Sequence, residues 1–201
     1  MNWYLQNLAS AEIQALHLLD ESTAFGDDPA FPCPFVIPHE IRKELVLLAV
    51  EFYFSDETLH VGQMVLHRAI AHKAKQGFDY LVKQRFPIFS MVPIAAYRWD
   101  DLLSMTANNT SGFNYRYKTG STTDLSLHAY GLAFDINPWW NPCRAQGIWL
   151  PEGARYDEAV PGTITKDSWV AQMWRDIGFT CGADWNEPFD PQHIQMPLEA
   201  I

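Results

Sequence analysis

An α+β domain, with a largely antiparallel sheet flanked by helices, is the fold class the sequence predicts. Three observations predict it. The chain has 201 residues, 48% of them hydrophobic and 19% charged, which is enough to fold around a sizeable core and is unlike a disordered chain. Segments with strand and helix periodicity are mixed, without the strict strand–helix–strand alternation that builds parallel sheets. No internal repeat and no low-complexity segment interrupts them. We expect one domain over 41–201, with 1–40 forming an N-terminal helix and a proline-rich arm packed on it.

Each element follows from its local pattern. Ile13, Leu16 and Leu19 after Ser10 predict a helix over residues 10–20. The next stretch, STAFGDDPAFPCPFVIPHE, has four prolines and reads as a loop. ELVLLAVEFYFSDETLHVGQMVLH predicts two strands around a polar turn at Ser55–Thr58. Ile70, Ala74, Phe78 and Leu81 recur at helical spacing through RAIAHKAKQGFDYLVKQRF. PIFSMVPI is a short buried strand, and RWDDLLSMTANNT holds one or two helical turns. SGFNYRYKTGSTTDLS reads as a strand and then a polar loop, with Arg116 and Asn114 on one face. In SLHAYGLAFDIN, Leu132, Phe134 and Ile136 alternate with Ala133, Asp135 and Asn137, which is strand periodicity. A long proline-punctuated loop follows, then a helix over TKDSWVAQMWRDIGF, with Asp167 in its first turn and Gly178 as its stop. TCGADWNEPFDPQHIQM ends the chain as a loop leading into a short strand.

The formal net charge of -10 excludes nucleic acid as a partner, because phosphates need Lys and Arg to displace counterions. It also excludes adhesion to anionic surfaces through bulk charge. The N-terminus shows neither a basic n-region nor a continuous apolar h-region, and no run of 18 apolar residues occurs, so we expect no signal peptide and no membrane span. Synthesis in the cytoplasm is the corresponding expectation. Three cysteines, none in a CxxC pair, predict free thiols and exclude a Cys-rich metal site.

The chemistry concentrates in SLHAYGLAFDIN. Asp135 is a carboxylate on a strand that is otherwise apolar, where charge is rarely left unpaired. His128 lies seven residues before it, and Gly131 between them can supply the turn that brings both to one side. A cation between them answers the need for charge. Catalytic zinc takes three ligands from His, Asp, Glu or Cys and keeps a further position open. DPQH near the C-terminus offers His193 as a third ligand and Asp190, three residues earlier, as a general base.

Ser126-x-His128-x-x-Gly131-x-Ala133-x-Asp135 resembles the SxHxxGxAxD signature of the M15 zinc metallopeptidases, which include D-Ala-D-Ala carboxypeptidases and dipeptidases and L-alanyl-D-glutamate endolysins. DDLLSMTANNTSGFNYR before the signature, INPWWNP after it and GFTCGADWNEPFDPQH further on extend the resemblance over roughly residues 85–196. It implies the hedgehog/DD-peptidase-like fold, and makes 41–201 a zinc peptidase domain with zinc on His128, Asp135 and His193 and Asp190 as base. Arg116 falls where the family has a basic or polar group near the scissile carbonyl, and Ser126 falls in the signature as a substrate-binding position. The implied substrate is a peptidoglycan stem peptide containing D-amino acids, met at the cell wall after export or lysis. Asp190, Pro191 and Gln192 ahead of the last histidine depart from the ExWH of the carboxypeptidase and dipeptidase branches and are closer to the endolysin-like branch. An L-Ala-D-Glu endopeptidase is therefore the favoured expectation, with a D-Ala-D-Ala carboxypeptidase or dipeptidase as the alternative. From another class, a non-catalytic zinc-stabilised binding module is also open, and Asp190 argues against it. A monomer is expected.

Plainer readings compete at several positions. His17, His39, His60, His67 and His72 read as surface or satisfied core histidines. Arg116 can pair with Asp124 or Asp135, Ser126 can be a turn hydroxyl, and Trp139 and Trp140 read as packing.

Overall fold

The structure, a computed structural model, describes residues 18–29, 32–54, 56–197 and 199. Its first large element is the hairpin of β1 (Leu45–Tyr53) and β2 (Leu59–His67), antiparallel from Leu45↔His67 to Tyr53↔Leu59. The expected polar turn closes it, with Asp56 Oδ1 accepting the Thr58 N–H at 2.9 Å. Chain direction then changes at His67, whose ring nitrogen accepts the Ala69 N–H and caps α3 (Arg68–Lys83). Among the described residues, two short helices stand ahead of the hairpin, α1 (Glu21–Phe25) and α2 (His39–Arg42).

The helix over 10–20 lies, in its 10–17 part, outside the described residues. Residues 18–20 are not helical; α1 starts after them, where Asp20 accepts the Thr23 N–H, and Gly26 closes its other end at φ +77°. Leu19 exchanges two hydrogen bonds with the Gln63 side chain on β2, at 2.6 and 2.8 Å.

β3 (Ser90–Met91) pairs in parallel with β4 (Asn109–Thr110), across α4 (Asp101–Thr106). The segment after β4 forms no strand, only single bridges at Ser111 and Tyr117. Its amides are taken singly: Phe113 donates to Val65 O and Asn114 to His128 O. β5 is shorter than its alternation, only Ala133–Asp135, and residues 132–137 are buried on both faces. β6 (Cys143–Ala145) and β7 (Ile148–Leu150) form a small hairpin inside what reads as loop, since strands of three residues are too short to show a period. α5 (Trp169–Asp176) starts one residue after its cap, Ser168, so Asp167 stands outside its first turn; Gly178 follows it at φ +98°. β8 (Thr180–Cys181) and β9 (His193–Gln195) complete a three-stranded antiparallel sheet in the order β5-β9-β8.

The class is α+β as expected, but the antiparallel pairing is divided among small sheets. They are joined edge to edge: Val65 of β2 takes Phe113, Ser111 bridges Asp135 of β5, and Asp135 faces His193 of β9. Beneath this surface Phe78 of α3, Phe134 of β5, Trp174 of α5 and Phe179 pack with ring centroids 5.0–5.5 Å apart. Trp174 is fully buried at the centre of the cluster. Trp174→Ala is expected to lower unfolding free energy by about 3–5 kcal/mol, read from a denaturant melt, because the cavity cannot collapse between two helices and a sheet. The thiols of Cys33, Cys143 and Cys181 are all free.

Candidate active site

His128 sits on a 3-10 turn, Leu127–Tyr130, immediately before β5. Ser126 caps that turn by accepting the His128 N–H at 3.3 Å. Gly131 ends it at φ +69°, and a Cβ there would stand 2.6 Å from the His67 nitrogen. The turn thus needs glycine twice, for its backbone angle and for its approach to the end of β2. This folds His128 back over β5, onto the side where Asp135 points.

Asp135 and His193 are brought together by sheet register, as directly opposed residues of β5 and β9. The three functional atoms form a small triangle. His128 Nε2 and His193 Nδ1 are 3.1 Å apart, His193 Nδ1 and Asp135 Oδ1 are 3.1 Å apart, and His128 Nε2 and Asp135 Oδ1 are 3.4 Å apart. All three residues are buried.

The outer nitrogen of each imidazole is held by an oxygen. His128 Nδ1 lies 2.8 Å from Gly112 O, and His193 Nε2 lies 2.9 Å from Gln195 Oε1. A carbonyl oxygen can only accept, so each outer nitrogen carries the N–H. The inner nitrogens then present lone pairs to each other and to a carboxylate. Three converging lone pairs in a buried site repel unless a cation lies between them. The triangle also has the size of one face of a tetrahedron with vertices about 2.0 Å from its centre, for which the edge is about 3.3 Å. Donor chemistry and spacing both fit a divalent transition metal such as zinc. Among the described residues this is the cluster of three or more His, Cys, Asp or Glu that could hold one.

Burial raises the Asp135 carboxyl, but the charge and hydrogen bonds of His128 and His193 outweigh it and hold it well below the usual carboxylate range. Burial likewise works against charge on His193, and its hydrogen bond and attraction to Asp135 carry it above the ordinary imidazole value.

Asp190 lies one turn before His193, whose N–H donates to Asp190 O at 3.0 Å. Gly182 forms the floor beneath it: Asp190 N–H donates to Gly182 O, and a Cβ at Gly182 would stand 2.1 Å from Asp190 O. The Asp190 carboxylate accepts from Gln192 Nε2 at 3.1 Å. Burial, aided by the charge of Asp135 and opposed by that of His193, lifts the Asp190 carboxyl above its ordinary value. Two carboxyl groups near one another are thus driven apart, one kept ionised and one made a better proton carrier, which is the pattern of acid–base sites. The Cys143 thiol is nearby. Burial, then the charges of Asp190 and Asp135, push it well above the ordinary thiol range, so it remains a neutral thiol.

Arg116 has a different partner from those expected. Its Nε is 3.1 Å from Asp101 Oδ2, and not paired with Asp124 or Asp135. Asn114 Nδ2 donates to the other oxygen of Asp101 at 3.0 Å. Asn114 and Arg116 do share a face, and what they share it with is the first turn of α4. Sequence reasoning had no means of finding Asp101, which is brought there by the packing of a separate helix. It also passed over Gln195, although the i,i+2 spacing from His193 on a strand places both on one face. Trp185 was unassigned too; its ring lies 5.4 Å from that of His193.

With this geometry in hand, comparison with known families is informative. Residues 119–196 match the family model of M15 peptidases described as D-alanyl-D-alanine carboxypeptidase. The matched stretch contains His128, Asp135, Asp190 and His193, and bears out the resemblance to the M15 peptidases over this part of the chain. Neither the curated proteins nor the solved structures returned a match.

Proposed function

We propose that the protein is a zinc-dependent peptidase that hydrolyses a peptide bond in peptidoglycan stem peptides. The observation that carries this reading is the buried triangle of His128, Asp135 and His193 with Asp190 beside it. His128 Nε2, Asp135 Oδ1 and His193 Nδ1 would hold the zinc, and a zinc ion there supplies Lewis-acid polarisation of the scissile carbonyl and of the attacking water. Asp190 accepts the water's proton and delivers it to the leaving amine, a role suited to a carboxyl whose affinity for protons is raised by burial. Arg116, steadied by Asp101, offers its remaining N–H groups to the oxygen on which negative charge develops. Ser126 holds the turn that carries His128.

Two observations bear on the bond cleaved. The Asp-Pro-Gln-His segment, Asp190 to His193, favours an endopeptidase of the L-Ala-D-Glu type. The description of the matched family favours removal of a terminal D-Ala. Incubating zinc-loaded protein with purified muropeptides and weighing the products separates them. Endopeptidase action divides the stem peptide beside its first residue, and carboxypeptidase action shortens it by one alanine. Intact muropeptides with zinc fully bound would overturn the proposal and leave a binding module.

Arg116→Ala tests the oxyanion role. The expected result is a fall in kcat of about 10²–10³-fold, as for the loss of one oxyanion donor, with zinc content and melting temperature little changed. A rise in KM at constant kcat would make Arg116 a substrate anchor instead. An effect confined to the melt would reduce it to a partner of Asp101.

A further inference from the structure

We propose that Gln195 is a positioning residue that sets how tightly the site holds its cation; this rests on the metal reading above. Its amide oxygen lies 2.9 Å from His193 Nε2. Gln195 follows His193 by two residues on β9, so both side chains rise from the same face of the sheet. Opposite it in the ladder is Ala133, whose methyl group leaves room for the longer chain to lie along the strand toward the imidazole. Accepting the Nε2–H fixes one tautomer of His193, with the Nδ1 lone pair turned toward Asp135. Without that acceptor the imidazole can exchange tautomers or rotate, and the lone pair is lost from the triangle for part of the time.

The two histidines are held by different means. His128 is held by the backbone oxygen of Gly112, which no side-chain change can remove. Gln195 is therefore the side chain, among the described residues, through which the imidazole pair is open to adjustment. Its neutrality matters as much as its reach. Two neutral imidazoles and one carboxylate leave a bound divalent cation with net positive charge. A carboxylate in place of the amide would make His193 a stronger donor and tighten binding, at the expense of the cation's pull on substrate.

The test is zinc affinity of the full-length chain, read by competition with a chromophoric chelator, with melts of the metal-free proteins run alongside. Gln195→Leu should weaken zinc binding about 10–100-fold, the usual cost of removing a group behind a ligand. Gln195→Glu should bind zinc at least as tightly as the parent and turn over more slowly. With cobalt in place of zinc, the visible spectrum of Gln195→Leu should shift and that of Gln195→Glu should stay close to the parent. If Gln195→Leu folds poorly, Gln195→Ala takes its place with the same expectation. Equal zinc affinity in the parent and the Leu or Ala variant overturns the proposal. So does equal weakening by Leu and Glu, which would mark a packing role. A parent protein that takes up no zinc overturns the metal reading itself, a result distinct from unmoved variants of a zinc-binding parent.

Discussion

Asp135→Asn should strip the protein of zinc and of peptide hydrolysis together. Asp135 is the only anionic member of the triangle, and it contacts both imidazoles. Without its charge, two nitrogens 3.1 Å apart are left to share a cation between lone pairs alone. The loss of affinity should exceed the roughly 10–100-fold expected from disturbing the groups behind the ligands. Elemental analysis after dialysis against trace zinc measures it directly. The metal-free protein should also be less stable, by about 3–5 kcal/mol if the buried charge pair is simply broken. Retention of stoichiometric zinc by Asp135→Asn would remove this residue from the ligand set. The same logic covers the parent protein: chelation should stop hydrolysis and added zinc should restore it.

Asp190→Asn should do the reverse, keeping the metal and losing the chemistry. The three ligand positions are untouched, while the group that carries the proton is gone, and such groups contribute about 10²–10⁴-fold. Stability should move the other way from Asp135→Asn. The Asp190 carboxyl is raised in the folded protein, so its contribution is present below the ordinary carboxylate value and is lost as pH rises through the raised one. At neutral pH the parent carries the cost of that buried charge, and the amide does not. A melting temperature of metal-free Asp190→Asn equal to or above the parent's at neutral pH, converging with it at acid pH, is the expected pattern. Zinc loss in Asp190→Asn with unchanged activity per bound zinc would make Asp190 a ligand or a bystander.

Much of this site was legible because its parts are local. His128, Gly131 and Asp135 lie within one short segment, and a glycine between a histidine and a strand carboxylate states its purpose through backbone geometry alone. Asp190 and His193 lie within one turn of chain, so the base is carried with the ligand. The hairpin and α3 were legible for a similar reason, since nine-residue strands and a sixteen-residue helix are long enough to show their periods. Three short pieces were not: β6, β7 and β8, of three residues or fewer. β8 pairs with β9, a dozen or more residues on, and the β6–β7 hairpin is held from outside where Arg144 exchanges hydrogen bonds with Phe189.

By itself, then, the sequence determined the α+β class, the long elements and the two short segments, 126–137 and 190–193, in which the site's chemistry is concentrated. Those follow from periodicity, composition and residue chemistry, which are properties of neighbouring positions. Only the tertiary structure decided the register that sets Asp135 opposite His193, the Asp101 that holds Arg116, and the Gln195 and Gly112 oxygens that orient the imidazoles. Each of these depends on a hydrogen bond or charge contact between atoms a few ångströms apart in space. No periodicity along the chain encodes such contacts; they arise when separate elements pack, and they decide which way each ligand's lone pair points.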